Sequence, residues 1–178
     1  MEWLSGSCLC GAVRYQVRGE PLFITHCHCQ SCRKASGAAF VTWFTVRDAE
    51  VEWRGTARTL YRSSAAVERG FCPHCGTPLS YHHEAAGDEI DITAATLDQA
   101  ERLVPEDHTW WRERLPWIDH LADLPAYAQF RRGRPLTPAQ AAQLPGSAEE
   151  RLPGDDHAVL VGKQPLAGLE GDPPEGNG

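Results

Sequence analysis

The chain has 178 residues, enough for one domain with an appendage and a core that needs no disulfide staples. Hydrophobic residues make up 42% and charged residues 23%, which excludes a wholly disordered, collagen-like or coiled-coil chain. The net charge of −7 argues against a nucleic-acid partner, and no apolar run reaches the roughly 20 residues of a membrane span.

The N-terminal Met1-Glu2-Trp3-Leu4 carries neither a basic region nor an apolar stretch, so no signal peptide is expected and the expected compartment is the cytoplasm. Thiols stay reduced there, and clustered cysteines point to metal or redox chemistry rather than to bridges. The seven Cys of the chain fall well below the density of a disulfide scaffold, and an odd number cannot pair completely.

In chain order, Val13, Tyr15 and Val17 alternate with Arg14, Gln16 and Arg18, which is strand period. Residues 39–46 (Ala-Phe-Val-Thr-Trp-Phe-Thr-Val) are β-branched and aromatic, the mark of a buried strand. Shorter strands are predicted at 51–53, 59–61 and 89–92, with turn residues between them. Asp98–Leu103 is a candidate for one helical turn or two, and Trp110, Trp111 and Trp117 are expected to cover the core or to wall a pocket. The predicted fold is mainly β: a small domain of short strands in rolled sheets or a sandwich, with few short helices.

All aromatic residues lie at or before Phe130. Residues 131–178 hold seven Pro and eight Gly and are predicted to form a flexible tail after a domain spanning 1–130. Thr137 as N-cap and Pro138 at the first helical position mark one candidate helix in that stretch.

The cysteines form three groups: Cys8-Leu9-Cys10, Cys27-His28-Cys29-Gln30-Ser31-Cys32, and Cys72-Pro73-His74-Cys75. Gly follows both Cys10 and Cys75, as expected where a knuckle turns sharply around sulfur. Two such knuckles supply four thiolates, a closed tetrahedral zinc site, although redox or disulfide roles fit the same spacing. Cys27, Cys29 and Cys32 make only three, which leaves a zinc coordination position open unless His26 or His28 fills it. An open site of three thiolates suits the capture of another soft ligand, a substrate thiol. The added negative charge calls for a cation, and Arg33 and Lys34 are the nearest in sequence.

The segments Gly6–Tyr15, His26–Gly37 and Gly70–Leu79 resemble the glutathione-dependent formaldehyde-activating enzyme family. It is also called the S-(hydroxymethyl)glutathione synthase or GFA-like family, and it includes centromere protein V. The resemblance implies a small all-β fold with two zinc ions per chain. Cys8, Cys10, Cys72 and Cys75 would hold the structural zinc. Cys27, Cys29 and Cys32 would hold the catalytic and more labile one. It also implies a carbon–sulfur lyase or synthase that joins a small thiol such as glutathione to formaldehyde or a related aldehyde. Arg33 and Lys34 are the candidate substrate-binding residues, and His28 a candidate acid. Arg47, Arg54, Arg58, Arg62 and Arg69 are all available for the thiol's carboxylates. The alternatives are a binding module with two structural zincs, and a thiol redox or zinc-storage protein.

Overall fold

The computed structural model of the chain describes residues 3–128, 131 and 134–144. Most of the predicted tail, 145–178, lies outside the described residues.

Among the described residues ten strands form two sheets. The smaller is antiparallel, with β2 (Val13–Val17) between β1 (Leu4–Ser7) and β5 (Val51–Gly55). The larger contains β3 (Phe23–Cys27), β4 (Val41–Arg47), β6 (Thr59–Ser64), β7 (Val67–Phe71), β8 (Pro78–His83), β9 (Glu89–Thr93) and β10 (Asp107–Thr109). Its order is β10-β3-β4-β9-β8-β7-β6. Every pairing is antiparallel except β10 with β3.

Alternation decides which face meets the core. In β2, Val13, Tyr15 and Val17 are buried while Arg14 is exposed. They pack against Ile24, Phe44, Val46, Leu79, Ile90 and Ile92 of the larger sheet. Phe44, Leu79 and Ile92 are completely buried, and burial of each such side chain stabilises the fold by roughly 1.5–3 kcal/mol.

The opposite face of the larger sheet carries Cys27, Arg69, Tyr81 and Asp91. Residues directly across a pairing share a face. Cys27 lies opposite Val41, Tyr81 opposite Asp91, and Arg69 opposite Tyr81. Trp43, two residues beyond Val41, is on that face too, because strand side chains alternate. A second apolar cluster of Cys27, Cys32, Val41 and Trp43 forms there, with Tyr81 packed against it.

Helices are short. The α1 helix (Gln30–Ser36) has Cys29 as its N-cap and Gly37 as its left-handed C-cap. Asp98–Leu103 contains a single 3-10 turn at Ala100–Arg102. Thr137 caps α2 (Pro138–Ala141) with a reciprocal bond to Gln140. The tryptophans depart from expectation. Trp110, Trp111 and Trp117 are 54, 40 and 51% exposed, so none of them seals the core. Among the described residues no helix is long and apolar enough to cross a membrane.

Candidate metal centres and cleft

The first and third cysteine groups meet. Cys8, Cys10, Cys72 and Cys75 bring their four sulfurs within 4.8 Å of one another. The Cys8 and Cys10 sulfurs are 3.5 Å apart, and those of Cys10 and Cys72 are 3.8 Å apart. A tetrahedron of sulfurs about 2.3 Å from a central zinc has edges of about 3.8 Å, so the cage fits that ion.

The two knuckles are built alike. Gly11 N–H donates to Cys8 O, and Gly76 N–H to Cys72 O, both at 2.9 Å. Both glycines have positive φ, +72° and +73°. Thr77 ties the knuckles together, its Oγ1 accepting from Leu9 N–H at 3.1 Å and lying 3.1 Å from Cys75 Sγ. Burial pushes the Cys72 thiol up to about 12. Burial opposes ionisation of Cys75 as well, but hydrogen bonds from Thr77 hold that thiol down to about 6. A cation in the cage would offset the cost of a buried thiolate at Cys72.

The middle group converges separately. Cys27 ends β3, Cys29 caps α1 and Cys32 lies in its first turn. Their sulfurs also lie within 4.8 Å of one another, and no disulfide joins them. Cys32 N–H donates to Cys29 Sγ at 3.3 Å. The hydrogen bond from Cys32 brings the Cys27 thiol down to about 5, and the same bond, with burial, pushes Cys32 up.

No histidine completes this set among the described residues. His26 Nδ1 bonds Thr42 Oγ1 at 2.9 Å. His28 is fully buried and turned into a cluster of Phe40, His108 and Trp111. The His28 candidacy as an acid therefore meets an obstacle, since its ring does not line the cleft.

That cleft, of about 660 Å³, opens beside Cys32. Its volume falls within the usual range for small-molecule sites. Trp43, Tyr61, Phe71 and Tyr81 give it aromatic walls, and Lys34 and Arg69 line it, with no carboxylate among its lining residues. Arg33 is not part of it; its Nε–H donates to His28 O at 3.1 Å instead.

The arginines that looked alike in sequence separate in space. Arg47, Arg54 and Arg62 pair with Asp88, Glu52 and Glu84. Arg58 stacks 3.9 Å from the centre of the Trp53 ring. Arg69 alone of the five reaches the cleft, where its Nη1 and Nη2 each lie 3.8 Å from Cys32 Sγ.

The family model for the glutathione-dependent formaldehyde-activating enzyme matches residues 3–113, more than half of the chain and all three cysteine groups. The chain belongs to this family. An uncharacterised lyase of Schizosaccharomyces pombe is 32% identical over 103 residues, covering 58% of this chain and 74% of the relative. A putative glutathione-dependent formaldehyde-activating enzyme of Halomonas elongata is 27% identical over 125 residues, covering 65% and 80%. A Rhodobacter sphaeroides protein of known crystal structure is 26% identical with a TM-score of 0.49, covering 59% of this chain and 99% of that one.

Proposed function

We propose that the chain is a zinc-dependent carbon–sulfur lyase or synthase acting on adducts of a small thiol and an aldehyde, glutathione with formaldehyde or a close relative. The observation that carries this reading is a set of three cysteine sulfurs, with no fourth protein ligand among the described residues, beside a cleft of about 660 Å³. In this reading Cys8, Cys10, Cys72 and Cys75 hold a structural zinc, and Cys27, Cys29 and Cys32 hold a second. Zinc bound by three cysteines supplies an open position at which a fourth sulfur is favoured as thiolate at neutral pH.

The chain's own residues do the rest. Cys27 and Cys29, at the end of β3 and the cap of α1, and Cys32 inside α1 fix where the incoming sulfur sits. Trp43 and Tyr81 wall the cleft around it. In the synthetic direction sulfur bonds to the carbonyl carbon, the π electrons pass to oxygen, and a proton ends on that oxygen. No oxidant or reductant is needed. Tyr81 packs against the cysteine cluster and is kept protonated by burial, which raises its pKa. We assign it the donation of its own proton to that oxygen, the proton released by the thiol then restoring the phenol. The gain comes mainly from proximity, because both reactants are held in one cleft.

The test is zinc per chain in reduced protein, repeated while titrating glutathione, followed by NMR exchange between formaldehyde and its glutathione adduct. Two zincs, one of them perturbed by glutathione, together with faster exchange, are expected. Two zincs indifferent to glutathione would instead favour a binding module.

A further inference from the structure

Arg69 sits on β7 and lines the cleft together with Ser31 and Cys32 of α1. Its guanidinium is held at every nitrogen. Nε–H donates to Ser63 Oγ at 3.3 Å, Nη2 to Ser31 Oγ at 3.4 Å, and Nη1 and Nη2 both reach Cys32 Sγ at 3.8 Å. The plane lies 4.9 Å from the centre of the Tyr81 ring, which fixes it from the side. No carboxylate of the described residues forms an ion pair with it, although the chain as a whole carries −7. A cation fixed by three side chains and a ring, unpaired with any acid among the described residues, faces Cys32 Sγ instead.

We infer that Arg69 is a positioning residue that compensates the charge gained when a substrate thiolate joins Cys27, Cys29 and Cys32. This inference rests on the proposed function. Three thiolates on a divalent cation carry −1, and a fourth makes −2. A fixed guanidinium beside Cys32 offsets that second charge without reorganising. A hydrogen bond to a charged partner is worth roughly ten- to a hundredfold in affinity. Arg69 therefore favours ligands that arrive with an ionisable sulfur, and acts at the sulfur end of the ligand.

The test compares the zinc-loaded full chain with its Arg69→Met and Arg69→Lys variants by calorimetric titration. Two ligands are used: glutathione, and S-methylglutathione, which has the same carboxylates but no ionisable thiol. Arg69→Met is expected to keep two zincs per chain and to bind glutathione roughly ten- to a hundredfold more weakly. Its affinity for S-methylglutathione should stay at the wild-type value, and Arg69→Lys should recover part of the glutathione loss. Should Arg69→Met fail to fold, Arg69→Gln, which keeps donors and removes the charge, carries the same expectations. Equal glutathione binding by wild type and variant overturns the inference and leaves the proposed function standing. An equal loss for both ligands also overturns it, because Arg69 would then clamp a carboxylate. Failure of the wild type itself to bind glutathione defeats the proposed function, and the inference with it.

Discussion

His28 Nε2 and His108 Nδ1 share a hydrogen bond of 2.9 Å across 80 residues of sequence. His28 lies between two cysteines of the middle cluster, and His108 lies on β10, which pairs in parallel with β3. The bond pins β10 to the loop that carries the cluster, assisted by His28 N–H donating to Thr109 O at 3.0 Å. His28 Nδ1 has no hydrogen-bond partner among the described residues. Changing His108 to Ala would strand the second ring nitrogen as well. A buried polar group left without its partner costs about 1–3 kcal/mol. His108→Ala should therefore lower unfolding free energy by that amount in a denaturant titration. His108→Asn, which can still offer a hydrogen-bonding group, should recover part of it. No change in either variant would show that the bond does not hold β10.

The two clusters should respond differently to loss of one sulfur. Cys72 is completely buried in the main core, and its site pins together residues 62 apart in sequence. Structural metal binding is itself folding free energy. Cys72→Ser should remove one zinc and destabilise the fold by several kcal/mol, seen as a large fall in melting temperature. Cys32→Ser should also remove one zinc but shift the melt far less, since its cluster lies apart from the main core. Elemental analysis beside thermal melts separates the cases, and equal falls in melting temperature would contradict the division of roles.

How much of this was legible in the sequence follows from the range of the interactions. The knuckles were legible because Cys spacing and the glycine after each are local features, and positive φ at Gly11 and Gly76 bears that out. The strands at 13–17 and 41–47 were legible from alternation and β-branching. The α1 helix was not, because Gln-Ser-Cys-Arg-Lys-Ala-Ser has no apolar period and is held by its Cys29 cap. Trp111 was expected over the core or the cleft and instead packs on His28 and His108, a contact set by β10 joining β3. Arg69 could not be chosen from five arginines, since its place depends on the registers of β6, β7 and β8.

Gly76 offers a clean measure of knuckle strain. Its φ is +73°, and a Cβ there would meet nothing within 4 Å. Ala at this position therefore pays no steric cost against neighbours, only the backbone cost of a left-handed residue, about 1–2 kcal/mol. Gly76→Ala should destabilise the zinc-loaded protein by that amount, and Gly76→Asn by less, because Asn visits this region more readily. Chelated protein supplies the control, since the constraint matters only while the knuckle is assembled. Identical penalties with and without metal would argue that the turn forms independently of the ion.

Asp91 should give the fold a pH dependence of unusual sign for a carboxylate. It lies opposite Tyr81 in the sheet and accepts a hydrogen bond from the Thr45 hydroxyl. Burial raises its pKa from 3.8 to about 6; the Thr45 bond works against this and the charge of Cys27 adds to it. The folded state thus binds this proton more tightly than the unfolded chain does. Its stabilisation is fully present below about pH 4 and is lost as pH rises through about 6, a difference of up to roughly 3 kcal/mol. Asn mimics the protonated acid and still accepts from Thr45. Asp91→Asn should match the wild type at pH 4 and exceed it at pH 8, with the gap opening between those values in denaturant titrations. A gap independent of pH would mean that Asp91 titrates at its ordinary value. The same substitution removes a negative charge near Cys27, so it should leave glutathione affinity unchanged or higher, the opposite of the change expected at Arg69.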